Sequence, residues 1–358
     1  MNNQSTIITL FSSNATVQYT KDIFSVLSLP RGSIFQFRYQ SNYIDPRVRG
    51  IFDNNENLNV RALIAFRSNS TAPDDNWFYI PIRWVKIKSI VQISNGYTVN
   101  FEINGYPSYT PDFRNKSNTF KEINECAKDF FHNMGKNDYA VWGEALTIVN
   151  LDDEEDRDSE NWFEIVHKLT LLPDYKDYYF LKCSSPYVEN INNNAICQKE
   201  KCSIKNKFTQ FVEGRCVYID IEYYAENYDP SIKRQIDVYV DENILSKVKG
   251  LRTNLQSRYG TIKLGLQSKK VMNKTLTEVV INTNSSTSDE LQTEITFPIV
   301  VIKNKIHRVW KSIITSIGAL LIALPGIIND SLNIGWNILI ASLGILVLGI
   351  NNYWESKE

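Results

Sequence analysis

The distribution of hydrophobic and polar residues predicts a strand-rich first part of the chain. Two alternating stretches, Lys86 to Ile93 and Tyr97 to Ile103, flank the dipeptide Asn95-Gly96. Because both residues of the dipeptide accept positive φ, this pattern is typical of a two-residue hairpin turn. Pro81 lies within the longer stretch Trp77 to Ile93 and lacks a backbone donor, so it predicts an edge or a bulge there. Further strands are predicted at Ser33 to Tyr39, Val60 to Phe66 and Ala145 to Val149.

Two helices are predicted around an acidic segment. From Thr119 to Met134 apolar residues recur at spacings of three and four, which predicts a helix, and a shorter amphipathic helix is predicted from Trp162 to Leu171. The acidic run Asp152 to Glu160 marks either a domain boundary or a long loop. It lacks the regular spacing and the glycine of a calcium-binding loop. We therefore favour a solvated loop that brings negative charge to a helix N-terminus.

Short strands resume after the second predicted helix. Their spacing, with polar turns between them, predicts an antiparallel sandwich or barrel. These strands are Tyr178 to Cys183, Arg215 to Tyr224, Gln235 to Asp241, Thr261 to Leu266, Leu276 to Asn282 and Glu294 to Ile302.

Two apolar runs without a charged side chain, Ser312 to Ile328 and Ile334 to Ile350, occupy the C-terminal end. At a rise of about 1.5 Å per residue, a helix over either run and its flanks reaches the thickness of a hydrocarbon layer, about 30 Å. The polar turn Asn329 to Asn333 joins the two runs. The pattern predicts a transmembrane helical hairpin with spans near 310–328 and 334–352.

Basic residues ahead of the first run predict its orientation. Lysine and arginine near a membrane end resist translocation, and a two-pass hairpin returns the C-terminus to the same side. The N-terminus shows neither the basic region nor the apolar core of a signal peptide. We therefore expect a bacterial inner-membrane protein whose head and C-terminus both lie in the cytoplasm. The residues predicted at the membrane interface are Lys303, Lys305, Arg308, Trp310, Lys311, Trp336 and Trp354.

These patterns predict a mainly β fold with a few helices (α+β) in a soluble head, followed by the transmembrane hairpin. Two antiparallel β-rich domains are expected at residues 1–150 and 176–302, the first with one helix near 119–134. An acidic loop and a short helix at 151–175 link them. Residues 303–358 form the basic juxtamembrane segment and the hairpin.

Composition and motifs argue against nucleic-acid binding and against catalysis. The net charge is -1, so the head has no global attraction for a nucleic acid. The three histidines, His132, His167 and His307, stand in no nucleophile or zinc-protease pattern. The sequence has no phosphate loop, dinucleotide-binding fingerprint or nucleophile elbow. We therefore expect a protein that is not an enzyme.

Four of the five cysteines are clustered in the sequence. Cys183, Cys197, Cys202 and Cys216 have 13, 4 and 13 residues between them. Four thiolates can hold a structural zinc ion, but the tight spacing of common zinc knuckles is missing. Buried free cysteine is also an ordinary small hydrophobe. We favour unligated thiols over structural zinc; disulfides would follow if the head lay outside the cytoplasm. No other cofactor is expected.

Arginines and aromatic residues accumulate in the first part of the chain. Together they can bind nucleotides or phosphorylated ligands through forked hydrogen bonds and stacking. Each arginine can equally pair with a carboxylate such as Asp45 or Asp53. The candidate ligand-binding residues are Arg31, Arg38, Arg47, Arg49 and Arg83.

Small residues in the hairpin predict close packing of helices, and an asparagine there can form a hydrogen bond across an interface. Neither run contains an ionisable residue, which argues against a channel built from one copy. A homo-oligomer in the lipid bilayer is therefore expected. The predicted packing residues are Ser312, Ser316, Ala319, Ala323, Asn337 and Gly344.

The layout predicts a membrane-anchored cytosolic sensor or effector. Its β-rich head would bind a small ligand or a protein partner, and its hairpins would cluster to perturb the inner membrane. The architecture is similar to that of membrane effectors in bacterial immune systems, which implies a role in anti-phage defence. In the alternative, the hairpin only anchors a binding or scaffold module, or less favourably a hydrolase, at the bilayer.

Overall fold

Strands dominate the part of the chain that the computed structural model describes. This part comprises residues 7–53, 60–69, 77–111, 139–146, 148–151, 157–191, 197–205, 207–231, 234–250, 252–271, 273–285, 293–327 and 334–357. Within these ranges lie eighteen β-strands and five α-helices. The predicted mainly β, α+β class is confirmed. The helix predicted from Thr119 to Met134 lies outside the described residues, and the domain limits stay predictions.

Six strands of the N-terminal part form a sheet that curls into a ring. They are β1 (Ile7–Ser13), β2 (Ile34–Gln40), β3 (Val60–Asn69), β4 (Trp77–Ile93), β5 (Gly96–Ile103) and β6 (Val141–Trp142). Their order is β2-β5-β4-β3-β1-β6, with β1 and β3 parallel and the other pairs antiparallel. Just after β2, Ile44 forms a bridge with Val141 of β6, and the Ala140 amide donates to the Tyr43 carbonyl at 2.7 Å. The two ends of the sheet thereby meet, although β1 and β2 do not pair with each other.

The hairpin predicted at Asn95-Gly96 is confirmed, but its loop lies one residue earlier. Ile93 pairs with Gly96, so the two residues before Gly96 make the loop. Gly96 has a different role from the predicted one: a Cβ atom there would lie 2.0 Å from the carbonyl oxygen of Tyr39 in β2. The glycine thus allows β2 to approach β5. At Pro81 the ladder with β3 shifts register, which confirms the predicted bulge.

The first helix, α1 (Val17–Ser28), connects this sheet to the rest of the fold. The helix is capped by Thr16, whose Oγ1 accepts a hydrogen bond from the Tyr19 amide at 3.3 Å. From Ile23 onwards its residues are buried. Phe24 lies at the centre of an aromatic cluster that holds residues from both parts of the chain, because its ring contacts those of Phe66, Tyr175, Tyr178 and Phe180.

Two further sheets follow. Their strands are β7 (Phe180–Cys183), β8 (Tyr187–Ile191), β9 (Cys197–Lys201), β10 (Ile204–Lys205), β11 (Phe208–Val212), β12 (Cys216–Tyr224), β13 (Arg234–Val240), β14 (Leu245–Lys249), β15 (Arg252–Asn254), β16 (Tyr259–Ser268), β17 (Thr275–Ser285) and β18 (Glu294–Ile302). One sheet has the order β10-β11-β18-β17-β13-β15; the other has the order β14-β16-β12-β8-β9, with β7 also on β12. The predicted antiparallel strands are confirmed, except that β11 and β18 run parallel. Inward side chains of both sheets belong to one hydrophobic cluster.

Two short helices lie on the head, α2 (Pro46–Asp53) and α3 (Asp158–Thr170). Helix α3 confirms the predicted second helix but begins four residues earlier than Trp162, with acidic residues in its first turn. The strand predicted from Ala145 to Val149 is wrong. The backbone turns there, as the Val149 amide donates to the Leu146 carbonyl, and of the described residues in this stretch only Val149 forms a β-bridge.

The chain ends in two helices, α4 (Lys305–Ile327) and α5 (Ile334–Lys357), that pack against each other. Their closest approach is at two glycines. A Cβ on Gly344 would lie 2.8 Å from the carbonyl oxygen of Gly318, and a Cβ on Gly318 would lie 2.9 Å from the side chain of Leu348. The predicted helical hairpin is therefore present.

The transmembrane part of that prediction is not supported by the described residues, since none of their helices is long and apolar enough to cross a membrane. In α4 the basic segment Lys305–Lys311 takes up the first two turns of the helix. The apolar length is correspondingly shorter than the helix itself.

Candidate functional site

A cavity of about 460 Å³ lies where the ring of the first sheet is left unpaired, between β1 and β2. The first turns of α1 and the segment before β6 complete its wall. We call it the aromatic cavity. It is lined by Phe11, Ser12, Ser13, Ala15, Tyr19, Asp22, Phe37, Arg38, Tyr39, Gln40, Tyr43, Arg67, Tyr139 and Ala140.

Strand β2 offers the cavity an open backbone edge. The Ile103 amide donates to the Ser33 carbonyl and the Ser41 amide to the Asn95 carbonyl, so odd-numbered residues of β2 face β5. In an antiparallel ladder the alternate residues point their amides and carbonyls the other way. The backbone groups of Arg38 and Gln40 therefore point away from β5, on the side that the cavity occupies.

The Tyr39 hydroxyl is a buried polar group without a partner among the described residues. The side chain is only 6% exposed, and its oxygen makes no hydrogen bond to any of them. Burial raises the pKa of Tyr39 well above its usual value. Because its oxygen has less than 1 Å² of accessible surface, the hydroxyl lies within the packing and not on the open face of the cavity.

Charge in the aromatic cavity comes from two arginines and one aspartate. Arg38 is exposed and has no ion-pair partner in the described chain, while the Arg67 guanidinium lies 5.9 Å from the ring of Tyr79. The Asp22 carboxylate accepts a hydrogen bond from the Gln18 amide at 2.8 Å. Burial raises the pKa of Asp22, and that hydrogen bond opposes the shift by a smaller amount. The lining therefore carries charged side chains of both signs.

These groups are of types that can bind a small molecule. The lining has aromatic faces for stacking, hydroxyl and backbone groups for hydrogen bonds, and guanidinium groups for an anion. Its described residues include no histidine or cysteine. Side chains of these types can hold a ring-bearing anion.

A second cavity of about 440 Å³ lies along the other half of β2. It is bounded by Ile34 and Phe35 of β2 on one side and by β10, β11 and β18 on the other. Asp22 lines both cavities. The lining of the second cavity is mainly apolar, and its lysine, Lys207, donates to the Asn100 side chain at 2.9 Å.

The structure does not bring the five predicted arginines together. Arg38 lines the aromatic cavity, whereas the others have partners elsewhere. Ligand binding by these arginines stays a prediction. Arg31 pairs with Asp158 at 2.6 Å, and Arg47 pairs with Asp45 at 2.6 Å and with Glu144 at 2.9 Å. Arg49 donates to the Ser41 carbonyl at 3.3 Å.

Arg83 is the most deeply buried of the five. It is 1% exposed, donates to the Asn104 carbonyl at 2.7 Å, and places its guanidinium 3.5 Å from the centre of the Tyr106 ring. Burial lowers the pKa of Arg83, while Tyr106 and Asp158 oppose that shift. These contacts make Arg83 part of the packing rather than of the cavity.

Sequence reasoning missed most of the residues that form the cavity. Phe11, Tyr19, Asp22 and Tyr139 come from segments whose contact depends on the pairing of β1 with β6 and on the position of α1. The only usable signal was the alternation around Arg38, which placed an arginine among aromatic residues. Nothing in the spacing indicates the distant residues.

The predicted cysteine cluster is described in part. Cys183, Cys202 and Cys216 are free thiols, and burial raises the pKa of Cys202 to about 11. Burial also raises the pKa of Cys183. No group of three or more histidine, cysteine or acidic side chains suited to a metal ion occurs among the described residues. The side chain of Cys197 lies outside them.

The hairpin residues predicted to pack are only partly at the interface. Gly344 lies at the helix crossing, and the amide oxygen of Asn337 is buried without a hydrogen-bond partner in the described chain. The small residues of α4 are exposed instead, because Gly318 faces α5 and they lie on other sides of the helix. They are Ser312, Ser316, Ala319 and Ala323. Among the predicted interface residues, Lys303 is half-buried, and the side chains of Lys305, Arg308, Trp310, Lys311, Trp336 and Trp354 lie outside the described ones.

Comparison with known proteins adds little. No protein-family model matches the chain, and neither does any curated protein. The crystal structure of the periplasmic chaperone SfaE is similar over 26% of this chain, with 9% identity and a TM-score of 0.21. The matched region spans about half of that chaperone, 52% of its chain. A likeness this distant carries no argument about fold or function.

Proposed function

We propose that the protein is a membrane-associated sensor whose head binds a small ligand in the aromatic cavity and whose hairpin acts on a lipid bilayer. The observation that carries this proposal is the outer surface of the hairpin, which is apolar and exposed. Its large exposed residues, each at least 41% accessible, are Ile313, Ile317, Leu320, Ile322, Ile338, Leu339, Leu343, Ile345 and Leu346.

An exposed apolar surface of this kind favours an apolar environment. Contiguous apolar patches on proteins mark interaction sites or membrane contacts. The residues lie on both helices and around several sides of them, and charged side chains are confined to the helix ends. This distribution fits lipid chains better than a single protein groove.

The connection between head and hairpin is short and held by a buried carboxylate. Strand β18 ends at Ile302 and α4 begins at Lys305. Glu213, in the turn before β12, accepts hydrogen bonds from the Asn304 amide at 3.1 Å and from the Val271 amide at 3.3 Å. A carboxylate beside a helix N-terminus is also favoured by the helix dipole. This contact supports a mechanical tie between the sheet and the hairpin.

The remaining elements of the proposal follow from the sequence. The basic segment before the apolar run favours an inner-membrane location with the head and both termini in the cytoplasm. One hairpin alone does not form a path through the bilayer. Several clustered copies would form such a path. The architecture is similar to that of membrane effectors in bacterial immune systems, and on this analogy we place the protein in anti-phage defence. Simple anchoring of a binding module is the alternative.

Vesicle binding by the full chain tests the membrane part. Leu320→Glu combined with Ile345→Glu places two charges on the apolar surface, and we expect at least about tenfold weaker partitioning into liposomes that contain anionic lipid. The matched control is Leu276→Glu, an equally exposed leucine on β17 of the head, which should partition like the unmodified chain. Equal partitioning of all three proteins would overturn the proposal.

Dye release separates an effector from an anchor. After a ligand of the head has been identified, liposomes carrying the full chain should release an enclosed dye when that ligand is added. Binding to vesicles without release would support the anchor alternative.

A further inference from the structure

We propose that the aromatic cavity binds a nucleotide, with the base among its tyrosine and phenylalanine rings and the phosphate at Arg38. This inference deepens the proposed function, on which it rests for its biological meaning. The evidence for nucleotide binding itself comes from the geometry of the cavity.

The volume and lining of the cavity suit one flat ring with substituents. About 460 Å³ lies within the range of small-molecule sites. Aromatic side chains surround it on several sides, and Phe37 and Tyr39 already meet edge to face, with ring centroids 6.2 Å apart. Stacking between a base and an aromatic ring is worth about 1–3 kcal/mol. A heteroaromatic base gains this from the exposed rings of the lining, Tyr19 and Tyr43, which are 48% and 45% accessible.

Hydrogen-bonding groups in the wall match the edge of a base. The outward backbone groups of Arg38 and Gln40 offer donors and acceptors at fixed positions. Asp22 adds an acceptor for ring or amino N–H groups, since its carboxylate receives only the Gln18 amide among the described residues. An aliphatic anion would leave these groups unpaired.

The rim of the cavity supplies the anion partner. Arg38 is exposed and makes no ion pair with a described residue, so its five N–H donors are available. Arginine binds phosphate in a forked geometry that lysine cannot reproduce. The exposed guanidinium of Arg38 therefore favours a ligand that is anionic at its exposed end.

Calorimetry on the full chain in detergent micelles tests the assignment. The probes are AMP, GMP, adenosine and inorganic phosphate. We expect AMP or GMP to bind, adenosine to bind about tenfold more weakly, and phosphate alone to show no saturable binding at matched concentrations. The variant Arg38→Ala should weaken nucleotide binding about tenfold and leave adenosine binding unchanged.

Lys88→Ala is the matched control, because it removes one exposed positive charge from the same sheet. Lys88 pairs with Glu102 at 2.5 Å and lines neither cavity, so its loss should leave nucleotide binding unchanged. The inference is overturned if no nucleotide binds, if phosphate binds as well as AMP, or if Arg38→Ala and Lys88→Ala have equal effects. Vesicle partitioning of the same preparations keeps such a failure distinct from failure of the proposed membrane function.

Discussion

Asp158 shows how one side chain can serve several elements at once. Its carboxylate receives Nε and Nη2 of Arg31 at 2.6 and 2.8 Å, and the Tyr106 amide at 3.2 Å. Arg83 packs on the other side of Tyr106. Two arginines therefore depend on one carboxylate in a region that is largely shielded from water. Loss of its charge leaves positive charge without compensation.

We expect Asp158→Asn to destabilise the head by about 2 kcal/mol, since charge-assisted hydrogen bonds contribute about 1.5–3 kcal/mol and this pair is roughly a quarter exposed. Urea unfolding of the two proteins measures the difference. Glu160→Gln is the control, because Glu160 is exposed and pairs with Arg157 on the surface. That change should cost no more than about 0.5 kcal/mol. Equal losses would show that the charge of Asp158 has no special role.

A second side-chain effect follows from the close contact at Gly96. An added methyl group would lie 2.0 Å from a backbone oxygen of β2, so that Gly96→Ala must move the strand that carries Arg38 and Tyr39. We expect a loss of about 1–3 kcal/mol in unfolding free energy and weaker binding in the aromatic cavity. Thermal unfolding and calorimetry measure the two effects.

Gly50→Ala is the counterpart for this change. Gly50 lies in α2. Apart from its chain neighbours and the nearby backbone of the helix itself, no described atom lies within 4 Å of the place that an alanine methyl group would take there. Alanine is favoured over glycine in a helix by about 1 kcal/mol, so this variant should be more stable. If both glycine variants lowered the free energy of unfolding, steric contact with β2 would not be the cause of the loss in Gly96→Ala.

Helix α2 is held to the sheet by its capping residue. Asp45 accepts the Arg47 amide at 2.9 Å, and Pro46 follows at the first helical position. The same carboxylate binds the Arg47 guanidinium and receives the Gly143 amide at 3.4 Å next to β6. Burial alone would raise the pKa of Asp45, but these hydrogen bonds outweigh it, and the pKa lies below its usual value.

A depressed pKa makes this contribution dependent on pH. It is fully present above the pKa of the unfolded carboxyl, about 3.9, and is lost as the pH falls through the lower pKa of the folded group. We expect Asp45→Asn to destabilise the head by about 1–2 kcal/mol near neutral pH and by less below about pH 3. Urea unfolding at both pH values measures this. A difference between the proteins that stays constant with pH would contradict the assignment.

The tie between β18 and α4 depends on Glu213. Its removal leaves the amides of Asn304 and Val271 without these acceptors in a buried position. We expect Glu213→Ala to cost about 1–3 kcal/mol and to accelerate amide exchange at residues 303–306 more than elsewhere. Hydrogen exchange with mass spectrometry measures the local effect.

Glu278→Ala serves as the reference for Glu213→Ala, because Glu278 lies exposed on β17. Its amide-exchange pattern should match that of the unmodified chain. A uniform rise in exchange throughout the Glu213→Ala head would show a general loss of stability instead of a local release of the hairpin.

The sequence is a good guide to local structure here and a poor guide to contacts. Alternation and Asn-Gly predicted β4 and β5 because both effects act between residues close in the chain. The partner of each arginine depends on long-range packing, so Arg38 and Arg31 look alike in the sequence but differ in the fold. The possible pairing of Arg47 with Asp45 was visible because the two are close in the chain. The parallel β11–β18 pair had no local signal at all.

The whole molecule combines a head with a cavity and a hairpin with an apolar surface. If the two helices of the hairpin move as one unit, they must stay in close contact at the point where they cross. Gly344 and Gly318 allow this, and the Gly344 position would also meet the Ile322 side chain at 2.7 Å if a Cβ were present. A larger residue there separates the helices without changing the head.

We expect Gly344→Leu to weaken the hairpin by about 1–3 kcal/mol, because the new side chain overfills a close backbone contact. Circular dichroism in micelles should show an earlier loss of helix on denaturation, while unfolding of the strand-rich head stays unchanged. Ala323→Leu adds similar bulk on the exposed side of α4 and should leave the hairpin as stable as before. If the two variants behave alike in micelles, the glycine crossing does not hold the helices together. If Gly344→Leu abolishes dye release while vesicle binding persists, the packed hairpin is the output element and not only the anchor.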